Sequence, residues 1–302
     1  MNKELENIMR LSNIIYGVCT PNICDEYISK VNKVIEKKWN CGFIKNDYLE
    51  KMTPLSYLES VKKIIVICVP YHKNDLILDK NETAFSSSSW GEDYHKVLKS
   101  TMDNIVNELK QLYPNEEFIT LVDNHNLDER YYAYKAGIGF YGKHGMIINE
   151  KLGSNIFIGL ILTSVNFLES KPNMNKCMSC NKCIKYCPGK AITEHGIDYN
   201  KCISYLTQKK DLTQEEENKI IDLVYGCDVC SKICPHNNND YGEKNFLYDE
   251  KVKFLLDENV TLSNKQFEKI YGKYSGSWRG QKIIKRNLKL IKQNRNKLEN
   301  KK

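Results

Sequence analysis

CMSCNKCIKYCP, residues 177–188, decides how the rest of the chain is read. Cys177, Cys180, Cys183 and Cys187 stand in a C-x2-C-x2-C-x3-C run closed by Pro188. That is the spacing of two-cluster bacterial ferredoxins, in which the fourth cysteine ligates the other cluster. Downstream, CDVCSKICP (227–235) puts Cys227, Cys230 and Cys234 in a second run, again closed by a proline and one ligand short. Cys202 stands alone between the runs and completes the count. Cys177, Cys180, Cys183 and Cys234 are expected to hold one [4Fe–4S] cluster, and Cys187, Cys202, Cys227 and Cys230 the second. Structural zinc uses separated C-x2-C pairs and leaves a continuous run ending in Cys-Pro without a reason. Disulfides need an oxidising compartment, and MNKELENIMRLSNIIYG, with an early acidic residue and no long apolar stretch, is expected to be a helix rather than a targeting peptide.

Outward from the cysteines, the pattern is that of an α/β or α+β fold. KKIIVICVP (62–70) is a short β-branched run ended by proline, a buried strand. Residues 92–112 carry helical periodicity, with Tyr94, Val97, Leu98, Met102, Ile105, Val106 and Leu109 on one face. A strand is expected at 118–122, a helix at 128–135, and two strands at 146–148 and 155–163 joined by a turn at Gly153. Gly137, Gly139 and Gly142 spell G-x-G-x-x-G, but after a helix and before a strand, the reverse of a dinucleotide fingerprint. The glycines are expected to admit close approach of another large ligand. Cys19, Cys24, Cys41 and Cys68 show no ligand spacing and read as core or incidental thiols.

The charge is unevenly placed. The chain carries +7 overall, yet the stretch 260–302 alone holds 13 Lys or Arg against Glu268 and Glu299. A basic tail on a mildly acidic body fits a polyanionic partner, nucleic acid or a membrane surface; Tyr271, Tyr274 and Trp278 among the charges favour nucleic acid. No stretch approaches a membrane span, and the expected setting is cytoplasmic. Two clusters are one-electron relays, and composition and spacing leave the electron acceptor open. Asp123, at a strand end before a loop, is the candidate acid or else an N-cap.

Several stretches resemble the epoxyqueuosine reductases: SVKKIIVICVPY (60–71), WGEDYHKVL (90–98), Asp123 with Glu129 and Arg130, AGIGFYGKHGMII (136–148) and GSNIFIGLILT (153–163). The match continues through both cysteine runs, KCISYLT (201–207), YGCDVC (225–230) and WRGQKIIKRN (278–287). The resemblance implies a cobalamin-binding catalytic domain over 1–165, a ferredoxin-like double-cluster domain over 166–245 and a basic helical segment over 246–302. It implies reduction of epoxyqueuosine to queuosine at the wobble position of tRNA. The cofactors would be two [4Fe–4S] clusters and a cobalamin resting as cob(II)alamin, with Asp123 as proton donor, desolvated against the corrin. A corrinoid reductase of a small molecule is the alternative on the same parts.

Implied corrin neighbours are Ser89, Ile147, Ile158, Ser204, Cys227 and Asp228, while Lys143 and Arg130 are candidates for phosphate or the cofactor's amide arms. Partners implied are the tRNA anticodon stem-loop and an external low-potential electron donor, with no membrane and a monomeric state. The chain departs from the family pattern at Phe140 and His144, and at Asn124, His125 and Asn126 after the acid. His125 is expected either to share the proton transfer or to be a surface histidine. Deleting everything after Val260 is expected to abolish RNA binding and spare both clusters.

Overall fold

The computed structural model describes residues 2–44, 47–71, 77–237, 253–256 and 262–300. Strands β1 (Ile15–Cys19), β2 (Lys63–Pro70), β3 (Phe118–Leu121) and β4 (Ile156–Thr163) form one sheet in the order β1-β2-β4-β3, antiparallel throughout. The run at 62–70 is central because it is apolar at nearly every position, which only a strand covered on both faces can satisfy. Its register is fixed over its whole length, from Lys63 opposite Thr163 to Pro70 opposite Ile156. A slip of one residue would turn every side chain to the wrong face.

Two helices cover the sheet. The helix α1 (Tyr94–Leu112) buries Leu98, Met102, Ile105, Val106 and Leu109, and Leu98 and Met102 lie against Gly159 of β4. The opposite face of β2 and β4 packs Ile64, Val66, Cys68, Leu160 and Leu162 with Tyr131, Tyr132 and Ala133 of the helix α2 (Glu129–Lys135). Each such side chain removed from water contributes roughly 1.5–3 kcal/mol before entropic costs. The strand β1 escapes the sequence pattern because IYGVC is short and broken by Gly17. That glycine is required: a Cβ there would stand 2.1 Å from the Ala136 carbonyl oxygen.

The chain divides into two compact units whose segments alternate along the sequence. The first comprises Met1–Pro70, His95–Cys180 and His236–Tyr241, and contains the sheet; the second comprises Tyr71–Tyr94, Asn181–Pro235 and Gly242–Lys302. The second unit is built on the helix α3 (Gln281–Glu299). Its residues Ile284, Leu288, Leu290 and Ile291 share a core with Phe85, Trp90, Ile203, Leu206, Val224 and Phe254. Two asparagines lie on the same buried face, seven positions and so two turns apart. Asn287 donates from Nδ2 to the Thr207 and Val224 carbonyls at 2.7 and 2.8 Å, and Asn294 donates to the Glu217 and Ile220 carbonyls at 2.8 and 2.9 Å.

This corrects the reading of residues after Val260 as a detachable RNA-binding tail. Much of that stretch is the interior of the unit that carries six of the eight cysteines, so its deletion would unfold the ligand set. Some of its charge is also committed internally. Arg286 donates to the Lys209 and Lys210 carbonyls, and Arg295 to those of Lys80, Glu82, Ile221 and Asp222. Lys301 and Lys302 lie outside the described residues.

Candidate functional site

Asp123 stands two residues beyond the end of β3, on the loop that leads into α2. It is not the N-cap of that helix. Asp128 is, its carboxylate accepting from the Arg130 and Tyr131 amides. Asp123 has φ of 50°, a left-handed conformation uncommon for a residue with a side chain. Its side chain is 56% exposed, and Oδ2 lies 3.1 Å from Nε2 of His95 in the first turn of α1. The chain itself therefore leaves the acid open rather than desolvated.

The loop around Asp123 is pinned from beneath. Glu129 Oε1 accepts the Asp123 amide at 2.7 Å and lies 3.2 Å from His125 Nε2. Only 3% of the His125 side chain is exposed, which overturns its reading as a surface histidine. Burial raises the Glu129 pKa, and the His125 contact and the Asp123 amide act in the opposite direction.

The glycine-rich loop packs closely against the protein's own backbone. A Cβ at Gly139 would stand 2.2 Å from the Ile148 carbonyl oxygen, because strands Phe140–Tyr141 and Ile147–Ile148 pair directly behind it. His144, on the turn of this hairpin, is buried, and its pKa falls to about 4. The causes are loss of hydration first, then the electrostatic influence of His236 and Arg130. Its Nε2, the Nε2 of His236 and the Oδ1 of Asn155 are buried without a hydrogen-bond partner among the described residues. Arg130 donates to the Gly145 carbonyl at 3.3 Å.

In the second unit the thiols of Cys187, Cys202, Cys227 and Cys230, the quartet expected for one cluster, are electrostatic neighbours. Burial and the nearby thiols raise the Cys230 pKa, and the Cys227 thiol is pushed up to about 12. Two backbone amides point at these sulfurs. Ala191 N–H donates to Cys187 Sγ at 3.3 Å, and Val229 N–H donates to Cys227. Cys183 joins Cys187, Ala191 and Ile192 in the surrounding apolar cluster, and Cys234 is buried. Cys177 and Cys180 close the last long segment of the first unit. Among the described residues no three His, Cys, Asp or Glu side chains converge on one point as a single ion requires. All eight cysteines are free thiols. The remaining four behave differently: burial pushes Cys19 and Cys68 up to about 12, inert values, Cys41 is buried, and Cys24 is exposed.

Four of the six expected corrin neighbours are brought together by backbone threading in the second unit. The Phe85 segment runs beside Tyr225, so that the Ser87 amide donates to Asp228 Oδ2 at 2.9 Å. Ser275 Oγ meets Ser89 Oγ at 3.1 Å. Thr207 Oγ1 donates to the Ser204 carbonyl and accepts the Gly226 amide, which ties Ser204 to Cys227. The Ser87 hydroxyl is buried without a partner among the described residues. Ile147 and Ile158 belong to the first unit, where they are 1% and 7% exposed as part of its core. Lys143 stands on the hairpin turn, next to His144. The sequence reading did not single out His95 and Glu129 as the partners of Asp123. Both lay within stretches already singled out, His95 in the DYH of the α1 start and Glu129 six residues after the acid.

Comparison with known proteins gives a consistent picture. Residues 51–124 match the family profile "Epoxyqueuosine reductase QueG, DUF1730", and residues 176–237 match "4Fe-4S double cluster binding domain". An epoxyqueuosine reductase of Bacillus anthracis is 37% identical over 281 residues, which span 90% of this chain and 74% of the relative. A solved epoxyqueuosine reductase from Streptococcus thermophilus superposes with a TM-score of 0.86 at 30% identity, over 97% of this chain and 82% of that one. A crystal structure of epoxyqueuosine reductase with an epoxyqueuosine-modified tRNA-Tyr stem loop superposes with a TM-score of 0.87 at 30% identity, over 96% and 81% of the two chains. Among the described residues no helix is long and apolar enough to cross a membrane.

Proposed function

Because this chain belongs to the epoxyqueuosine reductase family, we propose that it is the oxidoreductase that converts epoxyqueuosine to queuosine at the wobble position of tRNA. The observation that carries the reading is an open carboxyl group, Asp123, with His95 on it at 3.1 Å, in a chain that also holds eight free cysteines in double-cluster spacing. Deoxygenating an epoxide to an alkene consumes two electrons and two protons and releases water. Opening the ring leaves negative charge on oxygen, and a carboxylic acid placed at that oxygen can neutralise it. Asp123 supplies that proton. His95 stands where it can return one to Oδ2. The reaction thus needs Asp123 exposed to a ligand, as the structure leaves it.

The double-cluster domain takes electrons from an external low-potential donor, with Cys177, Cys180, Cys183 and Cys234 on one cluster and Cys187, Cys202, Cys227 and Cys230 on the other. A bound cobalamin supplies the nucleophilic, low-potential chemistry at carbon that no side chain here offers. Residues of the second unit fit such a group: Ser87 Oγ is a buried polar atom without a partner among the described residues, and an amide arm of the cofactor can satisfy it. Ser89, Ser204, Cys227 and Asp228, neighbours within the second unit, would hold the cofactor, whereas Ile147 and Ile158 are core residues of the first unit.

RNA recognition falls to the exposed face of α3. Lys282, Lys285 and Lys289 are exposed and follow helical spacing on one side, and Trp278, 54% exposed, carries the Arg279 guanidinium stacked 3.9 Å from its ring. The test is anaerobic turnover of epoxyqueuosine-containing tRNA by the reconstituted protein, with nucleosides read by mass spectrometry. Queuosine should appear with the wild type, and Asp123→Asn should slow it by about 10²–10⁴-fold with both clusters intact. Full turnover by Asp123→Asn would remove the acid from this role. No queuosine from a loaded wild type would direct the search to a small oxidised substrate.

A further inference from the structure

We propose that His125 and Glu129 are positioning residues, an imidazole–carboxylate pair with the His125 side chain 3% and the Glu129 side chain 19% exposed, that latches the loop and holds Asp123 in its left-handed conformation at the site. The proposal deepens the functional reading above and rests on it. The hydrogen bonds define the latch atom by atom. Leu127 N–H donates to His125 Nδ1 at 3.1 Å, so Nδ1 carries no proton and Nε2 does. Nε2–H therefore donates to Glu129 Oε1 at 3.2 Å. The same oxygen accepts Asp123 N–H at 2.7 Å. One carboxylate oxygen thus joins the backbone of the acid to the imidazole that follows it in the loop.

The loop needs such a latch. It contains no proline between Asp123 and Asp128 to fix its backbone, and Asp123 sits at φ of 50°. Two tight turns follow one another, Asn124 N–H to the Val122 carbonyl at 2.6 Å and His125 N–H to the Asp123 carbonyl at 2.7 Å. Backbone in such sparsely populated conformations persists only when its surroundings over-determine it. The surroundings do so here: Tyr57 Oη accepts Asn126 N–H at 2.9 Å, and the Tyr57 ring stands edge-on to His125 at 6.3 Å between centroids. His125 is buried and does not reach the open side where Asp123 meets His95. Its effect on the reaction is therefore exerted through Asp123.

The experiment compares His125→Ala, Glu129→Ala and Glu129→Gln in the full-length, cluster-loaded protein. Deuterium exchange of the peptide covering 118–130 reads the latch without any turnover. Steady-state kinetics on epoxyqueuosine-tRNA read its consequence. Both alanine variants should exchange the Asp123 and Leu127 amides at least about tenfold faster. They should lower kcat by about 10²-fold, the effect of a misplacement of about 1 Å, while KM for tRNA stays within about twofold. Glu129→Gln keeps a carbonyl oxygen that accepts both N–H groups and should restore exchange and kcat together. Unchanged exchange in both alanine variants overturns the proposal, as does a rise in KM with kcat intact. A wild type that makes no queuosine overturns the functional reading instead, and the exchange result then decides the latch alone. If Glu129→Ala does not fold, His125→Asn carries the test, since it keeps an acceptor for Leu127 N–H and removes the hydrogen bond to Glu129.

Discussion

Replacing Asn287 with leucine separates the contribution of α3 to the cluster-bearing unit from its charge. The Asn287 side chain is 0% exposed, and its Nδ2 is the donor to two buried carbonyls, Thr207 at 2.7 Å and Val224 at 2.8 Å. Its Oδ1 accepts from Arg286 at 3.0 and 2.9 Å, but that guanidinium keeps other carbonyls. Leucine leaves both acceptors buried and unmatched, at about 1–3 kcal/mol each. Better apolar burial returns about 1–2 kcal/mol. Taken at the middle of those ranges, the net loss should be about 2.5 kcal/mol. It falls on a particular place, because Thr207 lies five residues after Cys202 and Val224 three residues before Cys227, both in the same expected quartet.

Urea unfolding followed by tryptophan fluorescence should show a lower midpoint with an unchanged slope, since Trp90 and Trp278 both belong to this unit. Iron analysis should show the quartet's cluster lost first on mild warming. A midpoint within about 0.5 kcal/mol of wild type, with iron retained, would refute the view that α3 clasps the two cysteine-bearing segments.

Further outcomes follow from other parts of the molecule. The pKa of His144 drops from 6.5 to about 4 on folding, so the unfolded chain binds the extra proton between those values. Stability contributed by neutral His144 is complete above pH 6.5 and is lost as pH falls towards 4, by about 3 kcal/mol in all; His144→Asn should flatten that part of the urea-midpoint-against-pH curve. Cys202→Ser should halve the iron content and leave the spectrum of a single cluster, whereas the same change at Cys24 should leave both clusters in place. Changing Lys282, Lys285 and Lys289 to glutamine should weaken tRNA binding at low salt. It should also reduce the slope of log K against log salt by about 0.7–0.9 for each phosphate no longer neutralised, with thermal unfolding unchanged.

The amino-acid pattern carried the sheet's centre well, because β2 and β4 are apolar runs with clear ends. It did not carry β1, whose need for Gly17 is set by Ala136, a neighbour 119 positions away that no local period can register. The double-cluster ligand set was legible because cubane geometry dictates cysteine spacing directly. The acid loop was legible only as far as Asp123. Its support by His125 and Glu129 depends on burial, and a histidine among asparagines carries no mark of being buried. The basic tail misled for a related reason: a count of charges does not separate a lysine facing water from an arginine capping carbonyls.

The alternation of the two units' segments along the sequence has a consequence for synthesis. Residues 71–94 leave the ribosome early, but the rest of their own unit begins at 181 and ends with α3. The sheet can close once β4 has emerged, long before Phe85 and Trp90 meet the side chains that will enclose them. During that interval a loop bearing two large aromatic groups stays uncovered on a nascent chain, a natural target for holding chaperones. The quartet's surroundings also stay incomplete until α3 has been translated, because α3 shares a core with them.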